Sequence, residues 1–498
     1  MFVIAYNILF LLIAWILGQC IYNIFLHPLR HIPGPLLAKV SRCWLFSLEI
    51  RGTQHLKIHS LHRKYGPIMR ISPNEVSFDD IEASDIIYAQ TSKFEKSEYY
   101  YRAFEDQGPN LFSIRDRQHH SQAKRLVSHA FSRANVIQHE SSIYDKALYL
   151  MDRIEQRAKE RRTIPLFPAF RCMTLDTISE FCFGKSTGAL HMNNFESTTF
   201  EAIDKANGAV LFVSSAFPSR SLKGRFQYFP FLRHLIQWAN NYKICAVPNG
   251  FIELAQKAEA GLQDVHSSGS WTMFKNMISM AEKKSTQLTK EQLVSEGMLM
   301  IVAGTDTTAT SLSVTLHNLL QQPETYKKLQ DEIRTAMPTM DSRPTIQVLD
   351  TLPFLDACVK EGLRLACPSH TRLPRTVPSD GWYFKKHYFP YGTNVSTSPL
   401  YYLHSDNVFH SPKKYNPFRW LVDDEKRRHL LANFHPFSRG TRQCIGQNLS
   451  SIEQKIVLSL FIRRFNPGTV LKKKVSLIEA VTAVPDDPLE VLVNLIFE

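Results

Sequence analysis

The stretch Phe437-Ser438-Arg439-Gly440-Thr441-Arg442-Gln443-Cys444-Ile445-Gly446 has the greatest chemical potential in this 498-residue chain. A lone cysteine follows a glycine-containing turn, an arginine lies two residues before it, and a helical pattern starts just after it. The N-terminus of a helix stabilises negative charge, so a cysteine there is biased toward the thiolate, the form that attacks carbon or ligates a metal. Small residues at Gly440 and Gly446 allow the backbone close to a flat cofactor, and Arg442 offers a partner for a carboxylate on it. Taken alone, the segment also fits a structural cysteine beside a turn. The other seven cysteines, at positions 20, 43, 172, 182, 245, 358 and 367, form no C-x-x-C pair. That pattern suits ordinary thiols in a reducing compartment and argues against a structural zinc.

Two further clusters sit in helix-periodic text. Ala303-Gly304-Thr305-Asp306-Thr307-Thr308 interrupts an apolar run from about Glu291 to Gln321. A glycine inside a helix costs about 1 kcal/mol relative to alanine, and a buried acid costs more unless it is paired. The strip therefore either faces solvent or serves a reaction. Glu361-Gly362-Leu363-Arg364 places opposite charges at i,i+3, a pairing that contributes only about 0.2–0.5 kcal/mol on an exposed helix.

At every fixed position the cysteine segment is similar to the haem-binding loop of the cytochrome P450 family, Phe-x-x-Gly-x-Arg-x-Cys-x-Gly, and the other clusters follow in that family's order. The resemblance implies a mainly α fold with a smaller β portion and a haem b whose iron is ligated by the Cys444 thiolate. Phe437, Gly440, Arg442 and Gly446 are then cofactor-binding residues. A thiolate donor favours O–O cleavage, which implies a monooxygenase. Ala303–Thr308 resembles the family's oxygen-activation motif. Gly304 then gives oxygen or substrate a seat against the helix, Thr307 holds a hydrogen bond to the oxygen, and Asp306 relays protons from solvent. Glu361 and Arg364 match the family's Glu-x-x-Arg. Arg419, in Tyr415-Asn416-Pro417-Phe418-Arg419-Trp420, matches its third member, with Phe418 where glutamate is usual. That trio is implied to be structural. Asp116–Ser132 resembles the helix that clamps the haem propionates; its aromatic-x-x-x-Arg appears as His120 and Lys124 with Arg125 adjacent, leaving the contact open between Lys124 and Arg125. Arg375 falls where the family places another propionate-binding arginine.

These residues need a large scaffold, and the composition supplies one: 44% hydrophobic residues with 32 Phe allow a sizeable core and exclude disordered, collagen-like or disulfide-rich chains. The text reads as an N-terminal transmembrane anchor over 1–26, a proline-rich hinge over 27–37, and one haem-thiolate catalytic domain over 38–498. From Phe2 to Leu26 no side chain is charged, long enough to cross a hydrocarbon core of about 30 Å. Arg30, Lys39 and Arg42 follow, placing the body in the cytosol, and a single-pass anchor in the endoplasmic reticulum is expected. The formal charge of +13 is spread out, which fits a membrane surface or an acidic protein better than nucleic acid. Strands are expected over Ile68–Phe78, after Pro374 and over Leu489–Phe497, and helices over most of Ser121–Gln321.

No Gly-x-Gly-x-x-Gly or nicotinamide fold is present, so electrons must arrive from outside. The resemblance implies an NADPH-cytochrome P450 reductase, with cytochrome b5 as a second donor, and Lys413, Lys414, Arg427 and Arg428 offer it a basic face. The substrate is expected to be a lipophilic small molecule, terpenoid or polyketide-like, since the wording is most similar to fungal enzymes of secondary metabolism. Candidate pocket segments are Tyr99–Phe112, Leu211–Phe231 with Phe212, Phe217 and Phe226, and the stretch around His370. Two other functions compete: a haem-thiolate isomerase, lyase or dehydratase that needs no reductase, and a membrane haem- or lipid-binding protein without turnover.

Overall fold

The computed structural model describes residues 2–105, 108–216, 247–267, 271–479 and 481–496, with the side chains at 2–5, 8, 9, 12, 209–216, 247–252, 266 and 267 also outside the description. The helices that position the site are α1 (Phe2–Ile21), α2 (Arg117–Val127), α3 (Leu166–Phe183), α4 (Thr198–Ala216), α5 (Lys290–Leu320), α6 (Pro353–Ala366) and α7 (Gln447–Arg464). A mixed five-stranded sheet flanks them, built from β1 (Ile68–Ser72), β2 (Glu75–Phe78), β3 (Glu95–Lys96), β4 (Arg375–Thr376) and β5 (Asn394–Ser396), in the order β1-β2-β5-β4-β3. The expected mainly α fold with a β minority is what forms. The strand run with a turn at Pro73-Asn74 becomes the β1–β2 hairpin, and the C-terminal strand forms over Glu490–Leu495.

Helix α5 is the axis of the fold. Thr289 caps it: its hydroxyl accepts from the Gln292 N–H at 3.2 Å, and the Gln292 carbonyl accepts from the Thr289 N–H at 3.0 Å. Thirty-one residues then run for roughly 46 Å. The threonines and serines that look misplaced in an apolar helix mostly turn back on it. Thr305, Thr307, Ser311, Ser313 and Thr315 each donate to the carbonyl four residues earlier, so that none of these hydroxyls is unpaired, and all but Thr307 are buried. α3 lies along α5 and is buried on nearly every side, so its sequence is apolar without a polar face.

Residues 2–26 form α1 and a π-helical turn, Tyr22–Leu26, with Phe10, Leu11, Trp15 and Leu17 exposed. Among the described residues no helix is long and apolar enough to cross a membrane, so the span expected there is not established by the structure. The proline-rich stretch is docked on the body: Leu29 and Ile32 are fully buried beside Val76 and Phe78, and the Arg70 N–H donates to the Pro33 carbonyl at 2.8 Å.

α6 is locked by Glu361, which is fully buried. Its carboxylate accepts from Arg364 Nε and Nη2 at 3.0 and 2.8 Å, Arg419 Nε at 3.1 Å, Trp420 Nε1 at 3.1 Å and the Asn416 N–H at 3.0 Å. Arg364 also reaches the Leu403 carbonyl and Arg419 the His410 carbonyl, so one carboxylate ties α6 to the irregular chain ahead of the cysteine loop. Phe418, in place of the usual acid, is 43% exposed and packs its ring on Phe354, away from this hub. Glu361→Gln is expected to destabilise the fold by about 3–5 kcal/mol, because two buried guanidiniums lose their counter-charge. Denaturant unfolding of the variant measures it; a change under 1 kcal/mol would show that the hub is dispensable.

Candidate active site

An internal cavity of about 360 Å³ lies between α5, the sheet and the cysteine loop, and Cys444 is on its wall. The loop is shaped by left-handed backbone at Ser438 and Gly440, a short 3₁₀ turn over Gly440–Arg442, and a hydrogen bond from the Cys444 N–H to the Phe437 carbonyl at 2.9 Å. α7 starts three residues after the cysteine, as expected. Cys444 is accessible only in the sense that it faces the cavity; the protein closes around it. Burial pushes its thiol up, against the opposing pull of the Gly446 and Gln447 N–H groups and Lys124. The helix start therefore favours the thiolate without being sufficient to form it, and a bound metal cation is what would complete the deprotonation.

Two glycines do something other than expected. At Gly440, with φ +71°, a Cβ would stand 2.2 Å from the Tyr88 carbonyl oxygen, so this glycine seats the loop on neighbouring backbone and not on a cofactor. At Gly304 a Cβ would stand 2.4 Å from the Ile178 side chain. Its missing side chain is required by the packing of α3 on α5, although its backbone does line the cavity. Gly446 lines the cavity, and the nearest atom to its Cβ position is Cys444 Sγ at 4.0 Å.

One wall of the cavity is cationic. His120, Lys124, Arg375 and Arg442 all line it, as does Phe437. Arg442 donates to the carbonyls of Ile114 and Arg115 at 2.6 Å each, and burial together with Arg375 pulls it down to about 10. Arg375 donates to the Tyr101 hydroxyl at 2.6 Å, and Lys124 to the Thr441 carbonyl at 2.9 Å. Burial and the surrounding cations, Arg442 foremost, bring His120 down to about 3, so its ring is neutral. Arg125 does not join them: it is exposed, does not line the cavity, and donates to Ser121 at 3.1 Å. The ambiguity between Lys124 and Arg125 resolves toward Lys124 as the residue facing the cavity.

Sequence reasoning missed Lys96. In the β3–β4 register it stands opposite Arg375, and its ammonium donates to the Phe112 carbonyl. Burial, with Arg375 and Arg442 adding to it, holds this lysine well below its usual range. Only strand pairing across nearly 280 residues brings it here, and no local signal marks it. Lys96, Lys124, Arg375 and Arg442 thus converge, and none of them pairs with a carboxylate on the cavity wall. Buried, uncompensated cations are costly, so this wall fits a cofactor carrying carboxylates at its edge. The donor set as a whole fits haem: a thiolate ligand, an apolar floor including Ile445 and Leu449, and a basic edge.

The two polar residues of the motif on α5, Thr307 and Asp306, are arranged differently from one another. Thr307 lines the cavity and donates to the Ala303 carbonyl at 2.8 Å. Asp306 is 1% exposed, does not line the cavity, and is held by Arg171 through Nε–Oδ1 at 2.6 Å and Nη2–Oδ2 at 3.1 Å. Arg171 in turn bonds Asp204 at 2.5 and 3.2 Å, and the Asp204 side chain is 61% exposed. Burial pushes the Asp306 carboxyl up, against the pull of Arg171. The direct line from solvent to Asp306 expected from sequence is therefore replaced by a chain Asp204–Arg171–Asp306, of which the sequence showed only the last member.

Of the candidate pocket segments, Tyr100, Tyr101, Phe104, Leu111 and Phe112 line the cavity, as do Pro368, Ser369, Thr371 and Leu373 in the stretch after Arg364. Tyr99 points away and donates to Glu75 at 2.5 Å, and His370 faces the His55 ring with a centroid distance of 4.7 Å. The side chains of Phe212, Phe217 and Phe226 lie outside the described residues.

A thiol on a loop beneath a long helix, a basic edge and a threonine across the cavity define a haem-thiolate protein, and the chain belongs to that class: residues 33–493 match the family Cytochrome P450. It is 28% identical over 474 residues to the cytochrome P450 monooxygenase sdnE of Sordaria araneosa, covering 91% of this chain and 90% of that one. To the cytochrome P450 monooxygenase TRI4 of Trichoderma arundinaceum it is 29% identical over 460 residues, 90% and 86% of the two chains. To the pisatin demethylase of Fusarium vanettenii it is 29% identical over 478 residues, 93% and 88%. The protein is a cytochrome P450 monooxygenase by family. Lys96→Met is expected to raise the stability of the haem-free chain and to speed haem loss from the loaded protein. Unfolding of the one and haem transfer from the other to an acceptor protein measure this; unchanged haem retention would remove Lys96 from the cofactor edge.

Proposed function

We propose that the enzyme inserts one atom of O2 into a lipophilic small molecule of fungal secondary metabolism, drawing electrons from an NADPH-dependent reductase. The observation that carries this reading is Cys444 facing a largely apolar cavity from below while Thr307 faces it from α5. Haem bound there would supply oxygen activation; Cys444 would ligate its iron, and Lys96, Lys124, His120, Arg375 and Arg442 would hold its carboxylates. Phe437 and Gly446 would border the ring.

The chain's own part is to exclude water, orient the substrate and move protons. Thr307 Oγ1 can release the Ala303 carbonyl and offer a hydrogen bond toward the cavity. Asp306 can pass a proton only after loosening from Arg171. Asp204 makes that step affordable, since the guanidinium keeps one carboxylate when it leaves the other. The exposed end of Asp204 then connects the pair to solvent. Glu361, Arg364 and Arg419 serve only to hold the loop.

Residues 1–26, without a charged side chain, support a single-pass anchor in the endoplasmic reticulum with the catalytic domain facing the cytosol. Lys413, Lys414, Arg427 and Arg428 are exposed, though Arg427 pairs with Asp424 at 2.6 Å, and this basic face suits an acidic reductase or cytochrome b5. Relatives that include a demethylase and several monooxygenases support oxidation of small lipophilic compounds. The reconstituted enzyme, reductase, NADPH and ¹⁸O2 with a terpenoid and polyketide panel test the reading. One labelled oxygen per product is the expected result. Product formed without NADPH and without label would establish the isomerase or dehydratase instead.

A further inference from the structure

We propose that Asn207 is a specificity-determining residue that recognises a neutral oxygen, a hydroxyl or a carbonyl, on an otherwise lipophilic substrate. The inference rests on the lipophilic-substrate reading and narrows it. Asn207 is on α4, is 6% exposed, and lines the cavity. Among the described residues its side-chain amide has no hydrogen-bond partner.

The other neutral polar side chains buried on the same wall mostly do have partners. Asn110 is saturated: its Oδ1 accepts the N–H groups of Phe112 and Ser113 at 3.1 and 3.0 Å, and its Nδ2 donates to the Phe104 carbonyl and Ser295 Oγ at 3.0 and 3.2 Å. Ser295 donates to the Gly108 carbonyl at 2.8 Å, Thr308 to Ser450 at 2.9 Å, and Ser311 to the Thr307 carbonyl at 3.0 Å. Apart from Asn207, the described residues of the wall that combine comparable burial with a polar group left unpaired are Thr482, in the turn between Leu477–Glu479 and Ala483–Pro485, and Glu453, whose Oε1 has no partner. These satisfied groups hold the protein together. Asn207 holds nothing.

Leucine, of nearly the same shape, would fill the same space, and the amide adds only hydrogen-bonding capacity that opens into the cavity. What the amide gains must come from something inside the cavity. The cavity that it lines is largely apolar, with Ala206, Leu254, Met298 and Leu299 among its lining residues. The partner is neutral because the charges lie elsewhere. The basic side chains of the cavity, Lys96, Lys124, Arg375 and Arg442, are on other elements, and the nearest acid on α4, Asp204, is engaged with Arg171. A carboxylate or phosphate on the ligand would be drawn to those basic side chains in preference to a neutral amide. A hydroxyl or carbonyl satisfies the amide as either donor or acceptor. The substrate therefore arrives already carrying an oxygen, supplied by an earlier oxygenation, hydration or oxygen-retaining cyclisation.

The test is spectral titration of the haem-loaded full-length enzyme with matched pairs, cedrene against cedrol and valencene against nootkatone, in wild type and Asn207→Leu. Wild type is expected to bind at least one oxygenated member roughly tenfold or more tighter than its hydrocarbon. Asn207→Leu is expected to lose that discrimination, keep or tighten hydrocarbon binding, and melt at the same temperature or higher. Hydrocarbons binding as well as their oxygenated partners in wild type, or discrimination surviving in Asn207→Leu, would overturn this proposal alone. A melting temperature several degrees lower in Asn207→Leu would also overturn it, by showing a structural partner for the amide. Failure of every probe to bind would overturn the lipophilic-substrate reading along with it.

Discussion

Five donors on one buried carboxylate hold this molecule in register. Glu361 gathers Arg364 from its own helix and Arg419, Trp420 and Asn416 from chain with almost no regular structure. That irregular chain leads directly into the cysteine loop, so its position cannot be set by a helix or strand of its own. A buried ion pair is a weak source of stability, because desolvation offsets much of the attraction. Its value here is geometric. The carboxylate fixes four groups at once, and the loop carrying Cys444 inherits that fixed origin.

The same molecule tolerates charge in two opposite ways. Around Glu361 each buried charge is matched. At the cavity edge Lys96, Lys124, Arg375 and Arg442 are left unmatched by any carboxylate on the wall, which suits a group that arrives with its own negative charge. The Asp204–Arg171–Asp306 chain stands between these cases: one guanidinium is shared by a buried acid and an exposed one. α4 carries both Asp204 and, one turn on, Asn207, so the helix that lends the cavity an amide also holds the exposed partner of Arg171.

Much of this was legible in the sequence where the signal is local. The ten residues around Cys444, the Glu-x-x-Arg pair and the polar strip of α5 are each contiguous, and the structure puts the cysteine, Arg442 and Thr307 on one cavity. What was not legible depends on distant pairing or on the third dimension. Lys96 becomes a cavity residue only through its register with Arg375, and Arg171 becomes a partner of Asp306 only because α3 lies along α5. The packing roles of Gly304 and Gly440 were illegible for a related reason: the atoms that exclude a Cβ there belong to Ile178 and Tyr88, far away in sequence. Lys124 and Arg125 were separable only by helix phase, which turns one inward and the other to solvent.

The most direct measurement is the carbon monoxide difference spectrum of the reduced protein beside that of Cys444→Ala. A strongly red-shifted Soret band in the wild type, absent from the variant, is the predicted result and would establish the cofactor and its ligand together. Wild-type protein that binds no haem, or a variant that keeps the band, would contradict the account at its centre.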